Sequence, residues 1–430
     1  MNGQLDRELK STPAFTRIAP WLALLTLSIL INYIDRGNLS LAAPLLKDEL
    51  HLSPWQLGIL FSAFFWTYTA LQFAMGWLVD RFEVNVVFAA GFLIWSLATA
   101  TTGLVRGFTL LLVMRLILGI GESVAFPSAS KILALHVPEQ FRGLANGILI
   151  SGIKLGPAVG TFGAGLLIAR YGWRPVFIAV GLASLLWLPA WNKWMPRGAG
   201  LAEFSSDAIP TVARILRHRS FSGACAGHFC ANYLLYFMLT WLPYYLVHER
   251  HLSLSSMSKI AALYFVIDAA SAISTGWLSD FFISRGHSTT LVRKAAMGMG
   301  HTIAALALTG CALAGPHNYL AWLLAVGVGS GMAGSGLYVF CQIIAGPKAA
   351  GRWTGFQNGF ANCAGIVAPA LTGYIVNRFD SFQPALAITA AVSLAGGFAW
   401  VFWISRVAQV EWSPGGAVPQ CGVGALAREI

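Results

Sequence analysis

Gly76-Trp-Leu-Val-Asp-Arg-Phe82 returns 200 residues later as Gly276-Trp-Leu-Ser-Asp-Phe-Phe282, and each copy closes a long apolar run. Asn146-Gly147 is echoed by Asn358-Gly359, and Trp173-Arg-Pro175 by Phe382-Gln-Pro384, at displacements of 212 and 209. Charged residues and prolines recur at equivalent positions between the apolar segments, which chance similarity of greasy sequence does not produce. The chain therefore reads as two related halves. In a membrane protein, two such repeats imply a pseudo-two-fold axis along the bilayer normal, with a substrate path between the halves.

The rest of the sequence requires that membrane. Of 430 residues, 57% are hydrophobic and 10% charged, with a mean hydropathy of +0.66. Soluble domains average about 45–50% apolar and about 25% charged residues, so a water-soluble globular protein is excluded. The net charge is +11. The basic residues lie between apolar runs rather than on one polar face, which argues against a nucleic-acid partner and for membrane topology. A helix needs about 20 apolar residues to cross a ~30 Å hydrocarbon core. Such windows are predicted at about 20–43, 55–79, 84–103, 107–134, 143–169 and 174–195, then at about 221–247, 257–283, 291–314, 318–345, 353–377 and 383–406.

The expected fold is all-α and integral to the membrane, with twelve transmembrane helices in two six-helix bundles at 20–195 and 221–406. Around them lie an N-terminal segment (1–19), a linker (196–220) and a Gly/Pro-rich tail (407–430). Segment 1–19 carries charges and lacks the apolar core of a cleavable signal. With the chain ends and the even-to-odd loops on one side, that side holds sixteen Lys and Arg against six on the other. Both termini are then cytoplasmic, and a bacterial inner membrane is the expected location. The six cysteines are scattered, and neither they nor the nine histidines show metal-ligand spacing, so no metal and no cofactor are expected.

Ionisable residues inside apolar spans carry the functional signal. Such a residue costs ~2.5–3.5 kcal/mol at a helix centre, and it normally faces an aqueous cavity. Asp35 and Arg36 lie in the first span, Arg115 and Glu122 in the fourth, Lys154 in the fifth and Asp268 in the eighth. Arg36 suits a substrate carboxylate, because a guanidinium is a planar, permanently charged, bidentate fork. A buried carboxylate is costly to charge, and a neighbouring cation offsets that cost, so a carboxylate beside an anion site can gain a proton as the anion arrives. Asp35 and Glu122 are the expected proton carriers. Arg115, seven residues from Glu122 and so on the same helix face, is the expected partner that tunes it. A structural ion-pair network is the alternative. Lys154 offers a second positive contact to a dianion, or snorkels, or pairs with Asp268 or Glu122. Tyr33, Tyr68, Gln72, Trp241, Asn358 and Asn362 are candidate cavity-lining groups that read a polyol, with helix packing as the competing role. Asp80, Arg81 and Asp280 end the repeated motif and are candidate gating residues that cross-link helix ends.

The repeated Gly-x-Leu-x-Asp-Arg signature resembles that of the major facilitator superfamily. Asn32-Tyr-Ile-Asp-Arg-Gly-Asn-Leu-Ser40, Arg115-Leu-Ile-Leu-Gly-Ile-Gly-Glu-Ser123, Tyr236-Phe-Met-Leu-Thr-Trp-Leu-Pro243 and Asn358-Gly-Phe-Ala-Asn-Cys-Ala-Gly-Ile366 resemble its anion:cation symporter family. That family includes sialin-like carriers and bacterial sugar-acid permeases such as galactonate transporters. The resemblance spans nearly the whole chain and implies much the same roles for Asp35, Arg36, Arg115 and Glu122.

Two patterns compete with this reading. Gly329-Ser-Gly-Met-Ala-Gly334 fits a dinucleotide fingerprint but lacks its preceding strand. Gly152-Ile-Lys-Leu-Gly-Pro-Ala-Val-Gly160 is similar to an antiporter motif, and equally to a tight helix crossing. The expectation is a monomeric secondary transporter, not an enzyme. It imports an organic anion, such as an aldonate or hexuronate, with protons, and the proton gradient is its energy source. An anion exchanger of the same fold is the alternative. A membrane-embedded enzyme would need a catalytic constellation that the sequence does not contain, and a sensor would need an effector domain.

Overall fold

The computed structural model describes residues 15–137, 139–195, 211–313, 315 and 318–412, and its regular elements are helical. The first half consists of α1 (Phe15–Leu50), α2 (Pro54–Arg81), α3 (Val84–Thr102), α4 (Phe108–Glu122), α5 (Ala125–His136), α6 (Glu139–Tyr171), α7 (Trp173–Ser184) and α8 (Trp187–Trp194). A single turn, α9 (Val212–Leu216), leads into the second half. That half consists of α10 (Arg219–His248), α11 (Leu254–Ser284), α12 (Thr289–Leu313), α13 (Tyr319–Gly334), α14 (Leu337–Asn362), α15 (Ala364–Phe379) and α16 (Gln383–Phe398). A π-helical turn, Ala399–Trp403, extends α16. Most of the expected N-terminal segment and tail, and the linker up to residue 210, lie outside the described residues.

Among the described residues, ten stretches are long and apolar enough to cross a membrane. The other two expected spans are α2 and α10, of 28 and 30 residues, both longer than the ~20 that a bilayer requires. The Tyr, Trp, Asn and His content of α10 lowers its hydropathy. In α10 those residues are interior: His228, Asn232, Tyr236, Thr240 and Trp241 are all buried. Four spans that were expected to be continuous are interrupted, at Ser123–Val124, at Leu185–Leu186, at Ser335–Gly336 and at Cys363. The first break puts Glu122 at the end of α4, inside the bundle. Between the tenth and eleventh spans the expected loop is replaced by a kink within α14. It sits at Gly346, whose φ of 65° suits a residue without Cβ.

The repeat extends to the hairpins. His51 and His251 both take left-handed backbone, at φ 51° and 54°. Each is followed by a buried or half-buried Leu and then a Ser, and the displacement is again 200. The Ser53 and Ser253 hydroxyls accept from the backbone N–H of Gln56 and Ser256, capping α2 and α11.

Small residues set the helix spacing. A Cβ on Gly156 would stand 2.6 Å from that of Tyr33, and one on Gly152 would stand 3.0 Å from the Thr26 carbonyl oxygen. The glycines of 152–160 are thus the seam between α6 and α1. Gly329 and Gly331 press on the backbones of Ala304 in α12 and Asp268 in α11, so the fingerprint-like pattern is also a packing seam.

The halves meet where α1 packs on α10, α2 on α15 and α6 on α11. A Cβ on Gly58 would stand 2.7 Å from the Pro369 carbonyl oxygen. Ser40 Oγ donates to the Leu239 carbonyl at 2.8 Å, and Lys47 Nζ donates to His248 Nε2 at 2.9 Å. Phe61 meets Trp241 edge-on with centroids 5.2 Å apart. By the course of the helices, these contacts gather toward the face away from the chain ends. The junction is sealed on that far face.

Candidate functional site

Arg36 and Glu122 define the site. Arg36 Nε donates to Glu122 Oε2 at 2.9 Å, with side chains 2% and 0% exposed. Such a pair is tolerated away from water only with good geometry and further support for each charge. An aromatic box supplies part of that support. The guanidinium carbon lies 4.7 Å from the Tyr33 ring centroid, 5.0 Å from Phe64 and 4.5 Å from Tyr68. Cation–π attraction reaches about 2 kcal/mol per contact when desolvated. The helical register places Tyr33 one turn before Arg36, and Phe64 and Tyr68 one turn apart on α2.

Much of the polar surface here has no protein partner. Arg36 Nη2, Glu122 Oε1, Asp35 Oδ2, Asn38 Oδ1 and both polar atoms of Asn32 are buried without hydrogen bonds. Asn38 Nδ2 donates to the other oxygen of Asp35 at 3.2 Å. A buried polar atom left unmatched costs about 1–3 kcal/mol, and this concentration of them is what makes the region a candidate site for polar ligands.

Arg115 does not pair directly with Glu122. Its Nε donates to the Leu60 carbonyl at 3.3 Å, and its guanidinium carbon lies 5.2 Å from the Phe64 centroid. Seven residues share a helix face but are separated by about 10.5 Å of rise. The carboxylate is instead held by an arginine from another helix.

The second half supplies the facing wall. Tyr236 Oη donates to Asn362 Oδ1 at 2.5 Å, and Asn362 Nδ2 donates to the Asn358 carbonyl at 2.9 Å. Tyr338 Oη donates to Asn358 Oδ1 at 3.3 Å, and Asn358 Nδ2 reaches Gln72 Oε1 at 3.5 Å, across the junction. The Tyr236 ring lies 4.4 Å from Phe65, beside the aromatic box. Tyr33, Tyr68, Gln72, Asn358 and Asn362 are thereby gathered near Arg36.

Behind this wall lies a network that the sequence reading missed. Gln357 Oε1 accepts from Trp353 Nε1 at 3.0 Å and from Cys341 Sγ at 2.8 Å. An indole N–H only donates, so the amide orientation is fixed and Gln357 Nε2 donates to His228 Nδ1, 3.1 Å away. The His228 ring stands edge-on to Tyr338 at 5.6 Å. Polar residues inside apolar spans were the available signal for His228, Gln357 and Tyr338.

Other expected residues sit elsewhere. Trp241 is fully buried, donates from Nε1 to the Pro369 carbonyl at 3.1 Å, and packs among Phe61, Tyr244 and Phe382 in the far-face seal. Asp268 is buried in α11 against Gly331. Asp280 is exposed and pairs with Arg293 at 2.5 Å, joining α11 to α12 at their near-face ends. The side chains of Lys154, Asp80 and Arg81 lie outside the described residues. Among the described residues no group of three His, Cys, Asp or Glu is placed to hold a metal.

The sequence matches the family described as Major Facilitator Superfamily over residues 25–345 and 225–420. It is 30% identical over 415 residues to a protein of Escherichia coli described as a probable galactarate/D-glucarate transporter, covering 89% of this chain and 93% of the relative. A Bacillus subtilis hexuronate transporter is 29% identical over 392 residues, with 88% and 92% covered. An Escherichia coli D-galactonate transporter is 27% identical over 421 residues, with 90% and 96% covered. Among solved structures, a bacterial homolog of the human lysosomal transporter Spinster, inward-facing and occupied, superimposes with a TM-score of 0.70. Its sequence identity is 21%, and 89% of this chain and 93% of that one are covered.

Proposed function

The chain belongs to the major facilitator superfamily, and we propose that within it this protein imports an organic anion together with protons, with sugar acids such as aldonates, aldarates and hexuronates as substrates. The names of its relatives support that substrate class. The observation that carries the coupling is the Arg36–Glu122 pair: one guanidinium is shared between a buried carboxylate and a free, unpartnered Nη2.

A substrate carboxylate binds Arg36 bidentately and competes with Glu122 for it. Glu122 then stands buried without a counter-charge, a state that costs several kcal/mol and is relieved by taking a proton. Loss of the substrate returns Arg36 to Glu122, and the proton leaves. Anion and proton therefore travel together. Asp35 is a second carrier, its carboxylate satisfied on one oxygen only. Gln72, Asn358, Asn362, Tyr33 and Tyr68 read the hydroxyls of the polyol, and Arg115 supplies positive field. Asp80, Arg81 and Asp280 act at the near-face gate. The two bundles, 20–195 and 221–406, rock about the site. In this structure the far face is sealed and the Arg36–Glu122 pair is closed, as after release of anion and proton. The Lys and Arg asymmetry supports a bacterial inner membrane with both termini cytoplasmic. The chain functions as a monomer.

The test uses purified protein in liposomes with a trapped pH dye, adding D-galactonate, D-glucarate, D-glucuronate and simple carboxylates one at a time. Lumenal acidification with a sugar acid is the expected result. Exchange of labelled sugar acid without acidification would replace this reading with an exchanger.

A further inference from the structure

Phe64 of α2 is completely buried and faces two arginines from two other helices. Its ring centroid lies 5.0 Å from the guanidinium carbon of Arg36 and 5.2 Å from that of Arg115. Tyr68 stacks on the ring at 5.1 Å, and Phe65 meets it edge-on at 4.9 Å. The backbone there is pinned to α4. A Cβ on Gly119 would collide with the Phe64 carbonyl oxygen, and Thr67 Oγ1 donates to the Leu116 carbonyl at 2.8 Å. Gly119 stands one helical turn after Arg115 and one before Glu122. At Phe64, therefore, α2 packs on α4 between the two ionisable residues. Two groups of α2 hold Arg115: the Phe64 ring, by cation–π attraction, and the Leu60 carbonyl one turn earlier, which accepts from its Nε at 3.3 Å.

That hold matters when substrate takes Arg36. The described cations acting on Glu122 are Arg36 and Arg115. About 10.5 Å of rise separates Arg115 from Glu122. An extended arginine can span it, because the glutamate side chain leans toward the helix N-terminus. If Arg115 reached Glu122, it would replace Arg36 as the counter-charge. Glu122 would then stay a carboxylate, and substrate would cross without a proton. We infer that Phe64 is the positioning residue that prevents this: it keeps Arg115 on α2, so that a proton and not a second arginine neutralises Glu122 while substrate occupies Arg36. The proton bonds to a carboxylate oxygen of Glu122. It leaves to water when Arg36 returns.

This inference rests on the proton-coupled reading above, so wild type is measured first. Protein reconstituted in lipid is given saturating D-galactonate or D-glucarate, and infrared difference spectra record whether binding creates a protonated carboxyl that Glu122→Gln lacks. Absence of that band in wild type would remove the proton reading, and this inference with it. Phe64→Leu keeps apolar bulk but removes the aromatic face, whereas Phe64→Tyr keeps the face. Counterflow of labelled sugar acid should stay within about threefold of wild type in both variants, while the band and the protons moved per anion should fall about fivefold or more in Phe64→Leu alone. Adding Arg115→Met to Phe64→Leu removes the competing cation and should restore most of the band. A wild-type band in Phe64→Leu would overturn the assignment, as would a band still missing in the double variant. Loss of counterflow in Phe64→Leu would also overturn it, by making the ring a support for substrate binding at Arg36.

Discussion

Arg36 of α1 and Glu122 at the end of α4 are 86 residues apart in the chain and 2.9 Å apart in the structure, both withdrawn from water. The pair joins a permanent cation of the kind that suits a carboxylate ligand with a buried carboxylate from another helix. In the proposed cycle, binding and protonation are two sides of one exchange.

The guanidinium's shape matters as much as its charge. Nε holds Glu122 while Nη2 is free, and three rings stack on the plane. Arg36→Lys keeps the charge but loses the fork and the stacking. Losing charge-assisted hydrogen bonds worth about 1.5–3 kcal/mol raises KM for sugar-acid uptake by about 10- to 100-fold. Wild-type KM in this variant would move the anchor to Arg115 or Lys154.

The far-face seal depends on backbone approach at Gly58. A Cβ there meets the Pro369 carbonyl oxygen at 2.7 Å and Gly373 Cα at 3.0 Å, neither of which can swing aside. Gly58→Ala should cost this conformation about 1–3 kcal/mol and shift the population toward far-face opening by about 5- to 150-fold. A cysteine at Ser40, buried under Leu239 here, then reacts faster with an impermeant maleimide applied to the far face. Unchanged labelling would show that α2 and α15 separate without cost.

A hydrogen bond between Lys47 and His248 crosses the same seal, with His248 stacked on Tyr244 at 4.9 Å. An ammonium can only donate, so the ring must accept and be neutral. Around it stand Lys47, His251, Asp380 and Glu249. Acidifying the far face protonates His248, sets two cations against each other and loosens the seal. Spin labels on the far ends of α1 and α10, in a cysteine-free background, should separate as pH falls from about 8 to about 5, and Lys47→Met should abolish that dependence. A pH-independent distance in the parent would contradict this.

The bundle was legible because hydropathy and repetition act along the chain. Windows of about 20 apolar residues located the spans, and the displacement of 200 between Gly76 and Gly276 gave the two halves. The same displacement relates His51-Leu-Ser53 to His251-Leu-Ser253, an echo whose meaning emerges only with the left-handed histidines and the serine caps. Pairings between helices were less accessible. Spacing joined Arg115 to Glu122; their charges interact across the rise of the helix, but the residue hydrogen-bonded to Glu122 is Arg36 on α1. Trp241 looked equivalent to Tyr33 or Tyr68 as an aromatic in a span. Its neighbours, which no local pattern encodes, place it in the seal. His228 and Gln357 escaped notice because a single polar residue in an apolar helix does not announce what it touches.

The central claim is that Glu122 carries the proton which substrate displaces from partnership with Arg36. Glu122→Gln keeps the shape and hydrogen-bonding capacity while removing the charge change. The most direct measurement compares this variant with wild type in liposomes, recording counterflow and pH-gradient-driven accumulation of the same labelled sugar acid. Counterflow within about threefold of wild type, with uphill accumulation and lumenal acidification both lost, is the predicted result. Undiminished uphill accumulation by Glu122→Gln would contradict the account.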